Sequence, residues 1–531
     1  MDPDHQINQP VLIVGAGQVG SVLALELAHH GVASLLVERA TAPSCYPKMD
    51  FINGRSMELL RRLDLIEEIR KNGVPPEYGL NFIWAEGTDE PPLSEWSYPS
   101  VTESEYRIQA VNDGSAPLEP YQRLPGSQLE QILRRRAADH PRVELREGTT
   151  FVQLEQHSSS VQAELSGPDG VPYHVLARYA VACDGASSAV RTAIGVPMVE
   201  TAPPTMHRDV YFRSTDPVLR RHGHAFLTIT AGGLTLVSHD EDHLWTGTFR
   251  VDDRTGDLDP VTTLHLLFGT AFTVDEVLNV TDWEGHLAVA ETYRRGDVFL
   301  AGDAAHNFYP TGGHGANTGL ADAVNLGWKL SAVLGGWGGS ALLDSYEAER
   351  RPVALFDREM CANLLEVWQR FPQLVAGGAP QAQVTGFLEQ DRDQINNEGV
   401  HFDYRYDTSP VIWCEDGPAP VWRWHRITPT TWPGARPPSL HMTDGSALFD
   451  HFGTEFALVD CTEHGAGHAL ADRAWERGIP LRHVVIDDVN IRVRWERLLV
   501  LIRPDQHVAW RGDTAPEDCD AVLARVLGAA S

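Results

Sequence analysis

The first clear signal along the chain is an unbroken apolar run, Val11-Leu-Ile-Val14, which predicts a buried strand. Gly15-Ala-Gly-Gln-Val-Gly20 follows at once. Apolar positions 22, 23, 25 and 27 then recur at helical spacing, and Gly31 stops that helix. A second apolar run over 33–37 predicts another strand and ends in Glu38. Strand, glycine turn, helix and strand read as one βαβ unit.

Further on, the pattern predicts a helix over 56–71 and a less regular stretch over 73–120. A helix over 129–138 carries Leu129, Ile132 and Leu133 on one face. Residues 143–182 alternate and predict strands, with a turn at Gly167-Pro-Asp-Gly170. Many short alternating segments between 201 and 290 predict a sheet separate from the first. The run 298–300 predicts a strand, followed by a glycine-rich loop and a helix that runs to 334, where Gly335-Gly336 ends it. Another helix covers 340–360. The stretch 371–433, rich in Pro, Gly and Gln, reads as a connector with some helix, and Pro433-Gly-Ala-Arg-Pro-Pro438 marks a boundary. Strand-like segments at 456–459, 481–486 and 498–502 alternate with helix-like ones at 466–477 and 517–527, the pattern of a small α/β domain.

Composition narrows the function. The chain has 531 residues, with 43 Lys+Arg against 73 Asp+Glu, a net charge of −30. That balance speaks against nucleic acid and against an anionic membrane surface. The N-terminal residues are polar and lack a signal-peptide pattern, and no apolar run approaches the ~20 residues a membrane helix needs. Cysteines at 45, 183, 361, 414, 461 and 519 form no CxxC and no Cys/His metal spacing. They read as reduced thiols of a cytoplasmic protein with no metal site.

Three motifs carry chemistry. In Gly15-x-Gly17-x-x-Gly20, with Gln18 and Val19 between, Gly15 allows a tight turn, Gly17 lets the backbone approach a pyrophosphate, and Gly20 lets helix and strand pack closely. Glu38, followed by Arg39, ends the second strand where a carboxylate accepts ribose hydroxyls. This is a dinucleotide site, and the motif alone does not separate FAD from NAD. The second motif is Gly302-Asp303 after a buried strand, with Pro310-Thr-Gly-Gly313-His-Gly315-Ala316-Asn317 beyond it. Taken alone it also fits a strand–turn–helix with a capping Asp. The third is Asp184-Gly185-Ala-Ser-Ser188, which locally reads best as a turn with an N-cap serine.

Together, in this order and spacing, the motifs resemble the group A flavoprotein monooxygenases, the single-component aromatic hydroxylases, over about residues 10–355. The end of the chain, with Leu501-Ile-Arg-Pro-Asp-Gln-His-Val508, resembles the C-terminal domain of the phenol hydroxylase and polyketide hydroxylase branches. The resemblance implies an α/β chain: a Rossmann-type FAD-binding domain (1–75, 110–195 and 290–400), an inserted antiparallel-sheet substrate domain (76–109 and 196–289), a linker (401–432) and a C-terminal thioredoxin-like domain (433–531). Without a CxxC, that last domain serves packing or a homodimer contact and not dithiol chemistry. The resemblance also implies FAD as cofactor and NAD(P)H as a visiting co-substrate, since only one GxGxxG is present. Reduced flavin would take up O2 as a C4a-hydroperoxide and pass OH to an electron-rich ring.

By the same resemblance, Gly302-Asp303 holds the ribityl chain, the Pro310–Asn317 loop faces the isoalloxazine, and Asp184 lies near FAD and NAD(P)H. Lys48, where the family has arginine, and Arg123 are expected beside the FAD; Gly126 stands where the family often has a flavin-contacting glutamine. Asp50 is the candidate base for a substrate hydroxyl. Trp283 and His286 are candidates to face the substrate ring, although a single histidine is more often a hydrogen-bonded core residue. Phenol hydroxylation is the main reading, and oxidation of or oxygen insertion into an aromatic polyketide is the second. A non-hydroxylating flavin-binding protein or an NAD-dependent dehydrogenase represents a different class.

Overall fold

A computed structural model describes residues 6–47, 50–87, 90–253, 255–390, 392 and 397–529. The strand Gln6–Val14 lies inside an eight-stranded sheet, parallel to Ser34–Glu38 on one side and Pro172–Ala182 on the other. Val143–Glu147 extends the sheet beyond Ser34–Glu38, and Val298–Leu300 extends it beyond Pro172–Ala182, both in parallel. Taken in chain order, these five strands lie third, second, first, fourth, fifth, the doubly wound order. The unbroken apolar run at 11–14 follows from this position, since a central parallel strand is covered on both faces. The helix Gln18–His29 packs against Gly126–Ala138 and His314–Leu334. Strands Thr150–Gln156 and Val161–Ser166 fold back antiparallel, with Gly170 at φ +75° in the expected turn.

The helix expected over 56–71 is two helices, Gly54–Arg61 and Ile66–Asn72. Asp64 between them adopts φ +56°, a left-handed turn that no continuous helix accommodates. Asn53 caps the first by accepting from the Ser56 N–H at 2.8 Å.

The second sheet has seven strands in the order Glu276–Gly285, Thr205–Arg213, Leu244–Arg250, Leu234–Ser238, Leu227–Thr230, Phe82–Ala85 and Ser94–Trp96. It is not purely antiparallel as expected, because Leu227–Thr230 runs parallel to Phe82–Ala85. One face packs Val210, Phe212, Leu234, Leu236 and Phe249 against a helix, Pro260–Phe268, absent from the sequence reading. Its ends are nonetheless marked in the sequence: Asp259 caps it, Pro260 opens it, and Gly269 closes it at φ +87°.

The segment 361–390, assigned above to the FAD domain and connector, packs elsewhere. The helix that begins at Ala341 runs on to Ala376, and Gln381–Gln390 follows it. Leu364, Val367, Phe371, Val384 and Leu388 share a core with Phe82, Trp84, Trp96 and Ile229 of the seven-stranded sheet. Pro352 and Pro372 lie inside the long helix without ending it.

The last residues form a four-stranded sheet, Leu481–Val485, Phe456–Asp460, Leu499–Ile502 and Val508–Gly512. The first pair is parallel and the other two are antiparallel. Phe456, Leu458, Leu499 and Leu501 pack on Trp328, Ala332 and Leu342 of the two long helices. The C-terminal unit therefore shares a core with the first sheet's helices.

Candidate active site

All the sequence motifs of the first sheet meet at the carboxyl ends of its parallel strands, where doubly wound sheets bind ligands. Gly15 follows the first strand, Glu38 ends the second, Asp184 follows the fourth and Gly302 the fifth. Gly15 has φ +104°, and a Cβ there would lie 2.3 Å from the Cys183 carbonyl oxygen. A Cβ on Gly20 would lie 1.9 Å from the Gly15 carbonyl oxygen. Gly17 differs: it caps the helix Gln18–His29, and a Cβ there would meet nothing within 4 Å. Two glycines thus build the turn, and the third leaves space before a helix N-terminus, where phosphate oxygens are favoured. Gly315, in the first turn of His314–Leu334, borders open space in the same way. The chain fits an extended anionic dinucleotide at this edge.

Glu38 uses both oxygens to hold the loop, accepting from Ala16 N–H and Ala40 N–H at 2.9 Å each. Arg134, not foreseen, donates from Nε to the Ala16 carbonyl at 2.7 Å and pairs with Glu130. Gln18 donates to the Gly126 carbonyl at 3.1 Å. Val19 fills the space against Gly302 and Gly319, which tolerate no Cβ there. Arg39 is exposed, and Lys48 lies outside the described residues. Asp184 accepts from Ser188 Oγ at 2.5 Å and from Val190 N–H at 3.1 Å, while Ser188 caps the following turn. The local capping reading of this motif is therefore right about its hydrogen bonds.

Gly302 has φ +60°, and its N–H donates to Asp322, which is buried with His306 and Arg350 on its carboxylate. Asp303 beside it is exposed. Pro310 is exposed too, and Gly312 and Gly313 adopt φ +77° and +68°. Ala316 is half-buried. Asn317 fastens this loop: it accepts from Asn53 N–H at 3.0 Å and donates to the Phe51 and Gly313 carbonyls.

The second face of the seven-stranded sheet presents polar groups at one end. Strand alternation places His207, Asp209 and Tyr211 beside Thr246, Thr248, Thr281 and Trp283. Trp283 stacks on His207 with centroids 4.7 Å apart. Burial pushes the Asp209 carboxyl above the usual carboxylate range, against the Thr248 hydroxyl that donates to it at 2.7 Å. Burial first, then the nearby Asp50, raises the Tyr211 hydroxyl, so it stays protonated.

Asp50 reaches this face. Its Oδ1 lies 2.7 Å from His239 Nδ1, and His239 Nε2 lies 2.7 Å from Thr246 Oγ1. Two expectations need correction. His286 does not join the polar face; it pairs with Glu200 at 3.1 Å and lines a cleft of about 600 Å³ with Ser187, Arg191, Thr192 and Asn307. Arg123 points its guanidinium into the second sheet, onto Glu241 at 2.6 Å and the Ser238 carbonyl at 2.8 Å. The buried Glu241 carboxylate draws it there, and its Nε is buried without a hydrogen-bond partner.

Comparison with known proteins fits this geometry. A family described as FAD binding domain matches residues 8–356, and one described as aromatic-ring hydroxylase, C-terminal, matches 430–530. The FAD-dependent monooxygenase apdD of Emericella nidulans is 32% identical over 99% of this chain and 92% of its own. The tetracenomycin B2 monooxygenase-dioxygenase of Streptomyces olivaceus is 32% identical over 98% of both. The solved rebeccamycin biosynthetic enzyme RebC with reduced flavin superposes with a TM-score of 0.88, at 32% identity, over 99% of this chain and 100% of that one. Motifs, fold and relatives agree: the chain belongs to the group A FAD-dependent aromatic hydroxylases, in the phenol and polyketide hydroxylase branch.

Proposed function

We propose that the protein is a monooxygenase that uses FAD, NAD(P)H and O2 to hydroxylate a phenolic or other electron-rich aromatic compound. The observation that carries this reading is the position of Asp50, whose carboxylate extends from the segment that Asn317 ties to the glycine loop onto the polar face of the second sheet. Bound FAD supplies the reductive activation of O2. The chain supplies the rest. Gly17, Gly315 and the helix N-termini behind them would hold the cofactor's anionic parts, and Glu38 and Arg134 keep the first loop in place. Asp50 takes the proton from a ring hydroxyl, which makes the ring more nucleophilic. Tyr211, Asp209 and the threonines orient polar substituents, and Trp283 offers a ring face.

The cleft beside Asp184-Gly185 suits NAD(P)H, with Arg191 as its cation. The same reading extends to a cytoplasmic location and to a homodimer, which sedimentation would decide. Among the described residues no helix is long and apolar enough to cross a membrane. The names of relatives such as the tetracenomycin enzyme support a second reading, a tailoring oxygenase acting on an aromatic polyketide.

The test is direct. Purified protein should be yellow with FAD, and a phenol or polyketide panel should stimulate NADPH or NADH oxidation and O2 uptake. A colourless protein that takes up no FAD would end the proposal. A yellow protein stimulated only by polyketides would select the second reading. Asp50→Ala is expected to cut hydroxylation by about 100-fold and to leave FAD content unchanged; an unaltered rate and pH profile would remove Asp50 from the mechanism.

A further inference from the structure

Asp50 does not act alone in its geometry. Its carboxylate is 9% exposed and the His239 ring 2%. His239 lies in the turn after the strand Leu234–Ser238, and Thr246 lies on the neighbouring strand Leu244–Arg250. The three groups form a line, with 2.7 Å at each joint. A carboxylate oxygen accepts, so Nδ1 donates to Asp50 Oδ1. Nε2 is then free to accept from the Thr246 hydroxyl, which fixes the ring in one tautomer. Among the described residues Asp50 Oδ2 receives no hydrogen bond, so it is the oxygen left for a substrate. Tyr211 holds the His239 ring edge-on, with centroids 5.6 Å apart.

We propose that His239 is a positioning residue for hydroxylation: donating from Nδ1, with Thr246 behind it, it holds Asp50 in place and in its ionised form. This rests on the reading of Asp50 as the base. In the step itself the substrate O–H bond breaks, the proton goes to Asp50 Oδ2, and the electron pair stays on the substrate oxygen. A hydrogen bond donated to a carboxylate favours its charged form. The His239 donor is thus directed at the charged form of the carboxylate, the form that accepts the substrate proton. Other charged and titratable groups face this line from each neighbouring element. Asp209 and Tyr211 lie on the adjoining strand, and Asp240 and Glu241 lie in the same turn. Arg123 approaches from the strand beside Asp50, with its charge taken up by Glu241.

The experiment uses the FAD-loaded enzyme and the phenol of the panel with the highest rate. The pH dependence of kcat is measured for wild type, Asp50→Ala, His239→Leu, His239→Asn and Thr246→Val. His239→Leu is expected to move the acid limb to higher pH by about one unit, since the lost donor no longer favours the carboxylate. His239→Asn places an amide N–H where Nδ1 was, and should return the limb to near its wild-type position. Thr246→Val should shift it partway. If His239→Leu fails to retain FAD, the Asn and Val variants decide: a limb that stays put in Thr246→Val, or one that His239→Asn moves as far as a full loss would, overturns the proposal. An unmoved limb in a folded His239→Leu also overturns it. If Asp50→Ala hydroxylates normally, the reading of Asp50 itself fails, and that result is distinct from the others.

Discussion

At the scale of single residues, the three glycines of the first loop are unequal. Gly15 and Gly20 sit where a Cβ would overlap backbone atoms at 2.3 Å and 1.9 Å, whereas Gly17 faces open space at an ordinary φ of −67°. Gly20→Ala must push helix from strand and is expected to cost about 3 kcal/mol of stability. Gly17→Ala should leave apoprotein melting unchanged while weakening FAD by about tenfold, because the methyl occupies space the cofactor needs. Thermal melting of apoprotein and a fluorescence titration with FAD separate the two effects. The turn role of Gly15 and the packing role of Gly20 were legible, since each follows from local chain geometry. Arg123 was not. Its direction was settled by Glu241, 118 positions away, which no local pattern reveals.

At the scale of elements, a buried polar joint links the helix Gln18–His29 to its surroundings. Glu26 and His30 lie 3.1 Å apart, with Arg62 on one side and Glu455 on the other. Burial alone would raise the Glu26 carboxyl, but Arg62 and then His30 outweigh it and bring it to about 2. Burial alone would lower His30, but its bonds to Glu26 and Glu455 raise it to about 9. The signs differ. The contribution of Glu26 is present above its ordinary 4.5 and lost as pH falls toward 2. That of His30 is present below its ordinary 6.5 and lost as pH rises through 9. The joint is therefore strongest between these limits. Urea unfolding should show wild type losing about 2 kcal/mol between pH 6.5 and pH 9.5, and His30→Gln losing much less of it. The parallel pairing of the first two strands was foreseen because a βαβ unit imposes it, whereas the order of the whole sheet came from the structure. The helix Pro260–Phe268 was missed although its caps are plain, since one face of its pattern blends into alternating neighbours.

At the scale of the whole molecule, the C-terminal unit is held by buried charge as well as by apolar packing. Arg503 donates to Glu349 at 2.7 and 2.8 Å and to Asp505 at 2.6 Å, and Lys329 reaches the same Glu349 at 2.6 Å. Arg503 and Lys329 hold Glu349 well below the usual range despite burial, and Arg503 does the same for Asp505. Asn325 bridges Asp505 to Glu349, while Arg350 connects Tyr406 to Asp322, which accepts from Gly302 N–H. A continuous polar chain thus runs from the C-terminal turn to the glycine of the fifth strand. Removing Arg503 leaves the buried Asp505 without its cation and Glu349 with Lys329 alone, so Arg503→Met should cost about 3–5 kcal/mol and loosen FAD as well. Urea unfolding and FAD release on gel filtration check both. The net charge of −30 says nothing of this joint, because most of that charge lies on the surface.

The sequence by itself determined the first βαβ unit and the glycine turns, because periodicity and backbone sterics act within a few residues. It also nominated Asp50. Only the tertiary structure decided that Asp50 meets His239, 189 positions on, that Arg123 serves the second sheet, and that 361–390 covers that sheet's aromatic end. Those pairings join chain segments that share no periodicity. They are selected when buried charges and apolar faces find partners during folding, a condition on the whole chain that no short stretch of it records.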